Sequence, residues 1–171
     1  MKNKKAQIAG QVFIYILAIF VFAVILLYGY TAIKGFIGKG EETAFIQFKN
    51  TLEGEVSRIS TEPGDIIVFD ERNPLPIPGT YEKICFVDSN AEIEDTFNLD
   101  SKEQQIISAA INAGVHNRTE NVFLIPPAQS PIFLGILETW PNNILCVNNE
   151  NGLVRIRIEG KGYGVRISAL Q

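Results

Sequence analysis

The sequence predicts an α+β fold: an N-terminal transmembrane helix, extended by an amphipathic helix, packed on a small, mostly antiparallel β-sheet head domain. Three features lead to this prediction: a long uncharged apolar stretch, a second stretch with helical spacing of apolar residues, and a series of short strand-like segments between turns. We expect a basic leader at residues 1–6, the membrane helix at 7–34, a hinge and amphipathic helix at 35–62, and the head at 63–171.

Residues 12–33 carry no charge, and no acid or base occurs between Lys5 and Lys34. As a helix, this stretch spans roughly 30 Å, the thickness of a bilayer's hydrocarbon core. A buried helix of a soluble protein would be shorter and would carry a polar stripe. The stretch is also too long for the apolar region of a secretory signal, and no good cleavage site follows it. We therefore expect the helix to remain in the mature protein.

The net charge of −4 conceals a strong asymmetry along the chain. Five lysines and no acid precede Glu41, so the first 40 residues carry +5, and the remaining residues carry −9. An acidic head does not suit nucleic acid, whose phosphates require a basic surface. The expected partner of the N-terminal part is instead the lipid bilayer.

Lysines on both sides of the apolar stretch bear on its orientation in the membrane. Lys2, Lys4 and Lys5 precede it, which favours a cytoplasmic N-terminus, although a comparable number of lysines follows it. The predicted location is the cell membrane, with a single pass and the C-terminal domain outside the cytoplasm.

The segment Lys4-Lys5-Ala6-Gln7, directly before the apolar stretch, resembles the class III leader of archaeal type IV pilin-like proteins. The resemblance covers about the first 35 residues. It implies that a prepilin peptidase cuts between Ala6 and Gln7 on the cytoplasmic side. The helix would then stay on the protein and form the core of a surface filament, with copies of the same chain as partners.

The chain departs from this family's pattern at two positions. Family members often carry Ser and Glu at the third and fifth positions of the mature chain, where this sequence has Ala9 and Gln11. The family's Glu is credited with aligning subunits, and Gln11 can still form hydrogen bonds between helices in lipid. The alternative interpretation is a plain, uncleaved anchor whose lysines only set the topology.

Helical periodicity returns after the membrane stretch. Gly35, Gly38 and Gly40 predict a hinge or a break, because each glycine costs about 1 kcal/mol relative to alanine inside a helix. Apolar residues then recur at spacings of three and four, which predicts an amphipathic helix of about 20 residues. The helix should end at Pro63-Gly64. Its apolar positions are Phe45, Phe48, Leu52, Val56 and Ile59.

The rest of the chain predicts strands with one short helix. Ser101 to Gln104 form a capping box that should begin the helix. The last three strands should form an antiparallel meander, the first two joined across Asn151-Gly152. Strands are expected at residues 65–70, 81–87, 121–125, 132–137, 144–147, 153–159 and 165–169.

Three arginines in the last two strands form a candidate contact surface. A four-residue loop at 160–163 would keep one sheet face apolar and would set Arg157 opposite Arg166, with Arg155 nearby. Such a cluster suits a carboxylate-rich neighbouring subunit or another anion. The alternative is a solvated face whose charges are balanced by nearby glutamates.

Two cysteines and one sequon are candidates for covalent modification. Cys85 and Cys146 are the only cysteines, and each lies within a predicted strand. Outside the cell such a pair predicts a disulfide, while the alternative is two buried thiols in the core. Asn117-Arg118-Thr119 fits the N-glycosylation pattern.

No pattern in the sequence predicts catalysis, a cofactor or a metal site. The acidic segment at 88–100 has the alternation of a calcium loop, but Ile93 occupies the position that requires glycine and Leu99 that of the bidentate glutamate. His116 is the only histidine, and no phosphate loop or nucleophile motif occurs. We therefore expect a pilin-like surface protein or an uncleaved anchor with a binding domain, and not an enzyme.

Overall fold

The structure, a computed structural model, describes residues 4–112, 120–128 and 130–170, with the side chains of residues 4–11, 35–39 and 93 outside the description. The chain divides into two compact units, Met1–Glu42 and Thr43–Gln171, called here the N-terminal unit and the head unit. A long N-terminal helix, a shorter helix and two small sheets confirm the α+β prediction.

Helix α1 (Lys4–Ile59) contains the apolar stretch. Its segment Val12–Lys34 has 23 residues and a mean hydropathy of 2.8, and none of it is buried inside the structure. By length and composition it could serve as a transmembrane segment or as a signal sequence.

Of the hinge or break expected at the three glycines, the break is absent, because α1 is helical through Gly35, Gly38 and Gly40. Glycine lowers helix propensity by only about 1 kcal/mol per residue, which the favourable sequence on both sides offsets. Propensity is therefore a weak guide at these positions.

The last part of α1 supplies one wall of the main core of the head unit. The five apolar positions of the predicted amphipathic helix are at most 7% exposed and pack among residues of both sheets. Polar residues such as Glu53 and Arg58 stay at the surface, where Arg58 pairs with Glu55 at 2.9 Å. Burial of this apolar face, at about 25 cal/mol per Å², stabilises the packing of α1 on the sheets.

The C-terminal end of helix α1 lies in close contact with the backbone at Gly160. Proline at position 63 cannot continue the helix, and Gly64 turns the chain with a φ of 88°. The N–H of Gly64 then donates to the carbonyl of Gly160 at 3.0 Å. A Cβ atom at Gly160 would overlap the carbonyl oxygens of Ile59 and Glu62, so only glycine fits at this contact.

Within the described residues, seven strands form two sheets. The strand order is β1-β6-β7-β4 in the four-stranded sheet and β3-β2-β5 in the three-stranded sheet. All neighbouring pairs are antiparallel except β4 with β7, which are parallel. The strands are β1 (Ile66–Phe69), β2 (Lys83–Val87), β3 (Val122–Ile125), β4 (Leu137–Trp140), β5 (Ile144–Asn148), β6 (Ile156–Gly160) and β7 (Val165–Ala169).

Two details of the predicted strands are wrong, the pairing of the last three and the position of one. The last three strands are not a meander, because β5 pairs with β2 in the other sheet and β6 pairs with β1 and β7. The strand expected at residues 132–137 lies later, at Leu137–Trp140, while Ile132 forms only a single bridge with Val122. The first error concerns long-range pairing, which local alternation does not specify, and the second concerns the bounds of a single strand.

Helix α2 (Ser101–Asn112) covers a second, smaller core. Ile107 and Ile111 pack against the face of the three-stranded sheet that carries Cys85 and Phe123. Glu103 accepts a hydrogen bond from the backbone N–H of Asp100, so the capping interaction involves the residue before the predicted Ser101. A short 3₁₀ helix (Ile93–Asn98) occupies the expected acidic connector.

Candidate functional site

Two rows of side chains cross the outer face of the four-stranded sheet. Strands β6 and β7 alternate strictly: Ile156, Ile158, Val165 and Ile167 point into the core, and the residues between them point outward. Because β4 pairs with β7, its outward residues continue the rows. One row is Arg157, Ser168 and Trp140; the other is Glu159, Arg166 and Glu138.

A cleft of about 250 Å³ lies over these rows, lined by Trp140, Arg157, Glu159, Arg166 and Ser168. Ser168 separates Trp140 from Arg157, and its short side chain leaves space between the two larger ones. Adjacent strands lie about 4.8 Å apart, so the two walls stand roughly 10 Å apart at their backbones. The side chain of Trp140 is 62% exposed.

Strand β4 is held in place by residues that follow β2. The N–H of Thr139 donates to Asp88 Oδ2 at 3.0 Å, and the N–H of Leu137 donates to Ser89 Oγ at 3.0 Å. The backbone N–H of Ser89 in turn donates a hydrogen bond to the carbonyl of Leu137 at 2.8 Å. These bonds satisfy the outer edge of β4 and fix the strand that carries Trp140.

Each charged side chain of the second row, Glu159, Arg166 and Glu138, forms a close ion pair. Arg166 donates from Nε and Nη2 to Glu138 Oε2 at 3.0 and 2.8 Å, and the hydroxyl of Tyr163 donates to Glu138 Oε1 at 2.6 Å. The Tyr163 bond and then Arg166 hold the pKa of the Glu138 carboxyl below its usual range, against the opposing effect of burial. The same bond raises the pKa of the Tyr163 hydroxyl.

Glu159 has its strongest interaction outside the cleft. Lys161 Nζ donates to Glu159 Oε1 at 2.6 Å, and this bond lowers the pKa of the carboxyl. The other oxygen of Glu159 lies 3.7 Å from Arg157 Nη2, beyond hydrogen-bond distance. Glu159 is therefore a weak partner for Arg157.

Arg157 is the least satisfied cation of the cleft. Its Nε is buried and has no hydrogen-bond partner among the residues that the structure describes. A buried donor without an acceptor costs about 1–3 kcal/mol. The Arg157 side chain is nevertheless 43% exposed, and its Nη2 lies 3.7 Å from Glu159, so the end of the guanidinium can donate to an additional acceptor.

The three predicted arginines do not form one cluster. Arg155 pairs with Glu71 at 2.8 Å and does not line the cleft. The predicted pairing of Arg157 with Arg166 is wrong: Arg157 faces Ser168, and Arg166 faces Glu159. The register differs by two residues, which leaves the same side chains on each face and replaces a like-charge pair with an opposite-charge pair.

Cys85 and Cys146 are direct partners across β2 and β5, and their Sγ atoms lie at disulfide distance. The carboxylate of Glu103 lies within 4.8 Å of both sulfur atoms, so this trio has the spacing of a metal site. However, sulfur binds metals as thiolate, and Lys83 Nζ already holds Glu103 at 2.6 Å. The ion pairs of Lys83 with Glu103 and Asp100 raise the pKa of its amine.

The remaining sequence-predicted positions have no described side-chain geometry. Lys4, Lys5, Ala6, Gln7 and Gln11 belong to the helical backbone of α1, and their side chains are outside the description. Asn117 and His116 lie outside the described residues.

Arg157 and Arg166 were predicted contact residues, whereas Trp140 and Ser168 were not predicted to belong to a site. Trp140 and Glu138 were not assigned to a strand, although Thr139 and Trp140 belong to the residue types that favour strands. That preference could have extended the predicted strand to Trp140. The parallel partner of β4, which brings Trp140 beside Ser168, leaves no signal in the local sequence.

No protein-family model, no curated protein and no solved structure matches this chain.

Proposed function

We propose that this protein is a single-pass, membrane-anchored surface protein of the archaeal pilin-like type, a structural subunit or minor component of a surface filament. The observation that carries the proposal is the segment Val12–Lys34, which is apolar, uncharged until its last residue and not buried inside the structure. At 23 residues it is about 34 Å long as a helix, enough to cross a bilayer. Its exposed apolar side chains need lipid tails or neighbouring helices around them.

The leader residues and the organisation of α1 support the pilin-like part of the proposal. Lys4-Lys5-Ala6-Gln7 directly precedes the apolar stretch, as in class III leaders. The same helical element later contributes an apolar face to the core of the head unit. After cleavage before Gln7, the apolar helix would pack with copies of itself, and Gln11 would form hydrogen bonds between helices.

The proposed topology places the head unit outside the cytoplasm. The lysines before the apolar stretch favour a cytoplasmic N-terminus. A cysteine pair at disulfide distance suits an oxidising exterior, where disulfides form and persist. The acidic head is consistent with this location and not with a nucleic-acid partner.

The second candidate is an uncleaved anchor that presents a binding domain, as an accessory subunit of an envelope complex. The cleft favours this alternative, since an exposed tryptophan and an incompletely paired arginine on its two walls are typical of a binding surface. The two candidates differ in the processing of the N-terminus and in self-assembly.

We expect the mature protein in its native membrane fraction to begin at Gln7, because the peptidase would remove the six residues before it. N-terminal sequencing or intact mass spectrometry measures this directly. A Lys4→Ala/Lys5→Ala variant should remain uncleaved while its apolar helix still holds it in the membrane. An intact Met1 or Lys2 on the parent protein would contradict processing and would favour the uncleaved anchor.

A further inference from the structure

We propose that the cleft on the outer face of the four-stranded sheet binds a small monocarboxylate that carries a ring. In this complex the guanidinium of Arg157 binds the carboxylate and the indole of Trp140 stacks on the ring. Both residues belong to the head unit, so the inference does not depend on leader processing or on filament formation.

The charge balance of the cleft favours a ligand with one negative charge. Three cations lie at or beside it, Arg157, Lys161 and Arg166, against two carboxylates, Glu138 and Glu159. The carboxylates are held at 2.6–3.0 Å by Lys161, Arg166 and Tyr163, while Arg157 has only a 3.7 Å contact. One carboxylate would balance the remaining positive charge, whereas a dianion would leave one charge unpaired.

The donors of Arg157 fit a carboxylate. Its Nε is buried without a partner among the described residues, and its Nη2 is too far from Glu159 for a hydrogen bond. A planar guanidinium binds a carboxylate through two parallel N–H···O bonds. The Arg157 side chain as a whole is 43% exposed, so a ligand carboxylate would bind its terminal Nη groups, while Lys161 would keep Glu159 in place.

Trp140, on the wall opposite Arg157, and Ser168, at the floor of the cleft, favour a ligand that carries a ring. Trp140 presents an exposed indole, and aromatic faces bind flat groups by stacking. Ser168 forms a small floor between the two walls and adds a hydroxyl that can donate or accept a hydrogen bond. A cleft of about 250 Å³ is smaller than a drug-sized site, which suits a single ring with one acidic group.

The single tryptophan of the chain allows a direct test. Emission of Trp140 is recorded while the full-length protein, in detergent micelles, is titrated with benzoate, cyclohexanecarboxylate, acetate, benzyl alcohol or inorganic phosphate. The two ring carboxylates should give saturable changes with half-saturation concentrations about tenfold below those of the other three probes. Calorimetric titration with cyclohexanecarboxylate checks that the change reports binding and not collisional quenching.

Matched variants assign the binding to the cleft. Arg157→Gln should raise the half-saturation concentration of benzoate about tenfold or more, because the carboxylate loses its charged donors. Ser168→Val should fill the floor of the cleft and so weaken benzoate binding, and valine keeps a high preference for strands. Arg155→Gln, whose parent residue pairs with Glu71 away from the cleft, should leave binding unchanged.

Four results would overturn the proposal. They are a linear response without saturation, equal binding to the Arg157→Gln variant, preference for phosphate or acetate over the ring carboxylates, and a concentration-dependent emission shift without any ligand. The last result would mean that a second copy of the chain covers the cleft.

Discussion

Replacing Gly160 with alanine is expected to lower the free energy of unfolding of the head unit by about 3 kcal/mol. The added Cβ would overlap the carbonyl oxygens of Ile59 and Glu62 at the end of α1. The strand cannot shift easily, because the N–H of Gly160 donates to Asp65 at 2.8 Å and its carbonyl accepts from Gly64 at 3.0 Å. Relief of the overlap would therefore break the junction of β6 with the end of α1.

Thermal unfolding followed by near-ultraviolet circular dichroism measures this effect, with Gly54→Ala as the matched control. Gly54 lies on the exposed surface of α1, and a Cβ atom there would meet nothing within 4 Å, so alanine should stabilise the helix by up to about 1 kcal/mol. The two substitutions add the same methyl group and should act in opposite directions. Unchanged unfolding of the Gly160→Ala variant would show that the two backbones do not meet as described.

Removal of both cysteines is expected to lower the free energy of unfolding of the head unit by a comparably large amount. The pair closes a loop with a sequence separation of 61 residues, for which loop entropy gives about 4 kcal/mol of stabilisation. A Cys85→Ala/Cys146→Ala variant should unfold at a correspondingly lower denaturant concentration. Both residues lie in the smaller core beneath α2. Replacing them with the smaller alanine also removes packing contacts, which lowers the stability further.

A reducing agent provides the control for the cysteine pair. It should shift the unfolding of the parent protein towards that of the double variant and should leave the variant itself unchanged. Thiol labelling under denaturing conditions should modify the parent only after reduction. Two thiols that react without reduction in protein from its native host would contradict the disulfide.

The elements with a strong local pattern were predictable from sequence. Phe45, Phe48 and Leu52 follow the helical period, and all three are buried as expected. Strands β1, β2 and β3 fall within predicted segments because alternating or continuous apolar residues specify them locally. Of the hinge or break predicted at Gly35, Gly38 and Gly40, the break was wrong, since a propensity of about 1 kcal/mol per glycine is easily outweighed.

Pairing across long sequence distances was not predictable. Cys85 and Cys146 suggested a bond, but nothing local showed that β5 therefore joins β2 and not β6. The β6–β7 register was off by two residues because both registers place Ile158 opposite an apolar residue. The cleft depends on β4 lying parallel to β7, so Trp140 could be assigned to it only from the structure.

The most direct test of the account is the behaviour of the full-length chain in its native membranes. The account predicts that the protein stays in the membrane pellet after an alkaline carbonate wash and is released only by detergent, because the apolar side chains of Val12–Lys34 lie among lipid tails or neighbouring helices. A full-length chain that proves to be a freely soluble monomer without detergent would contradict it.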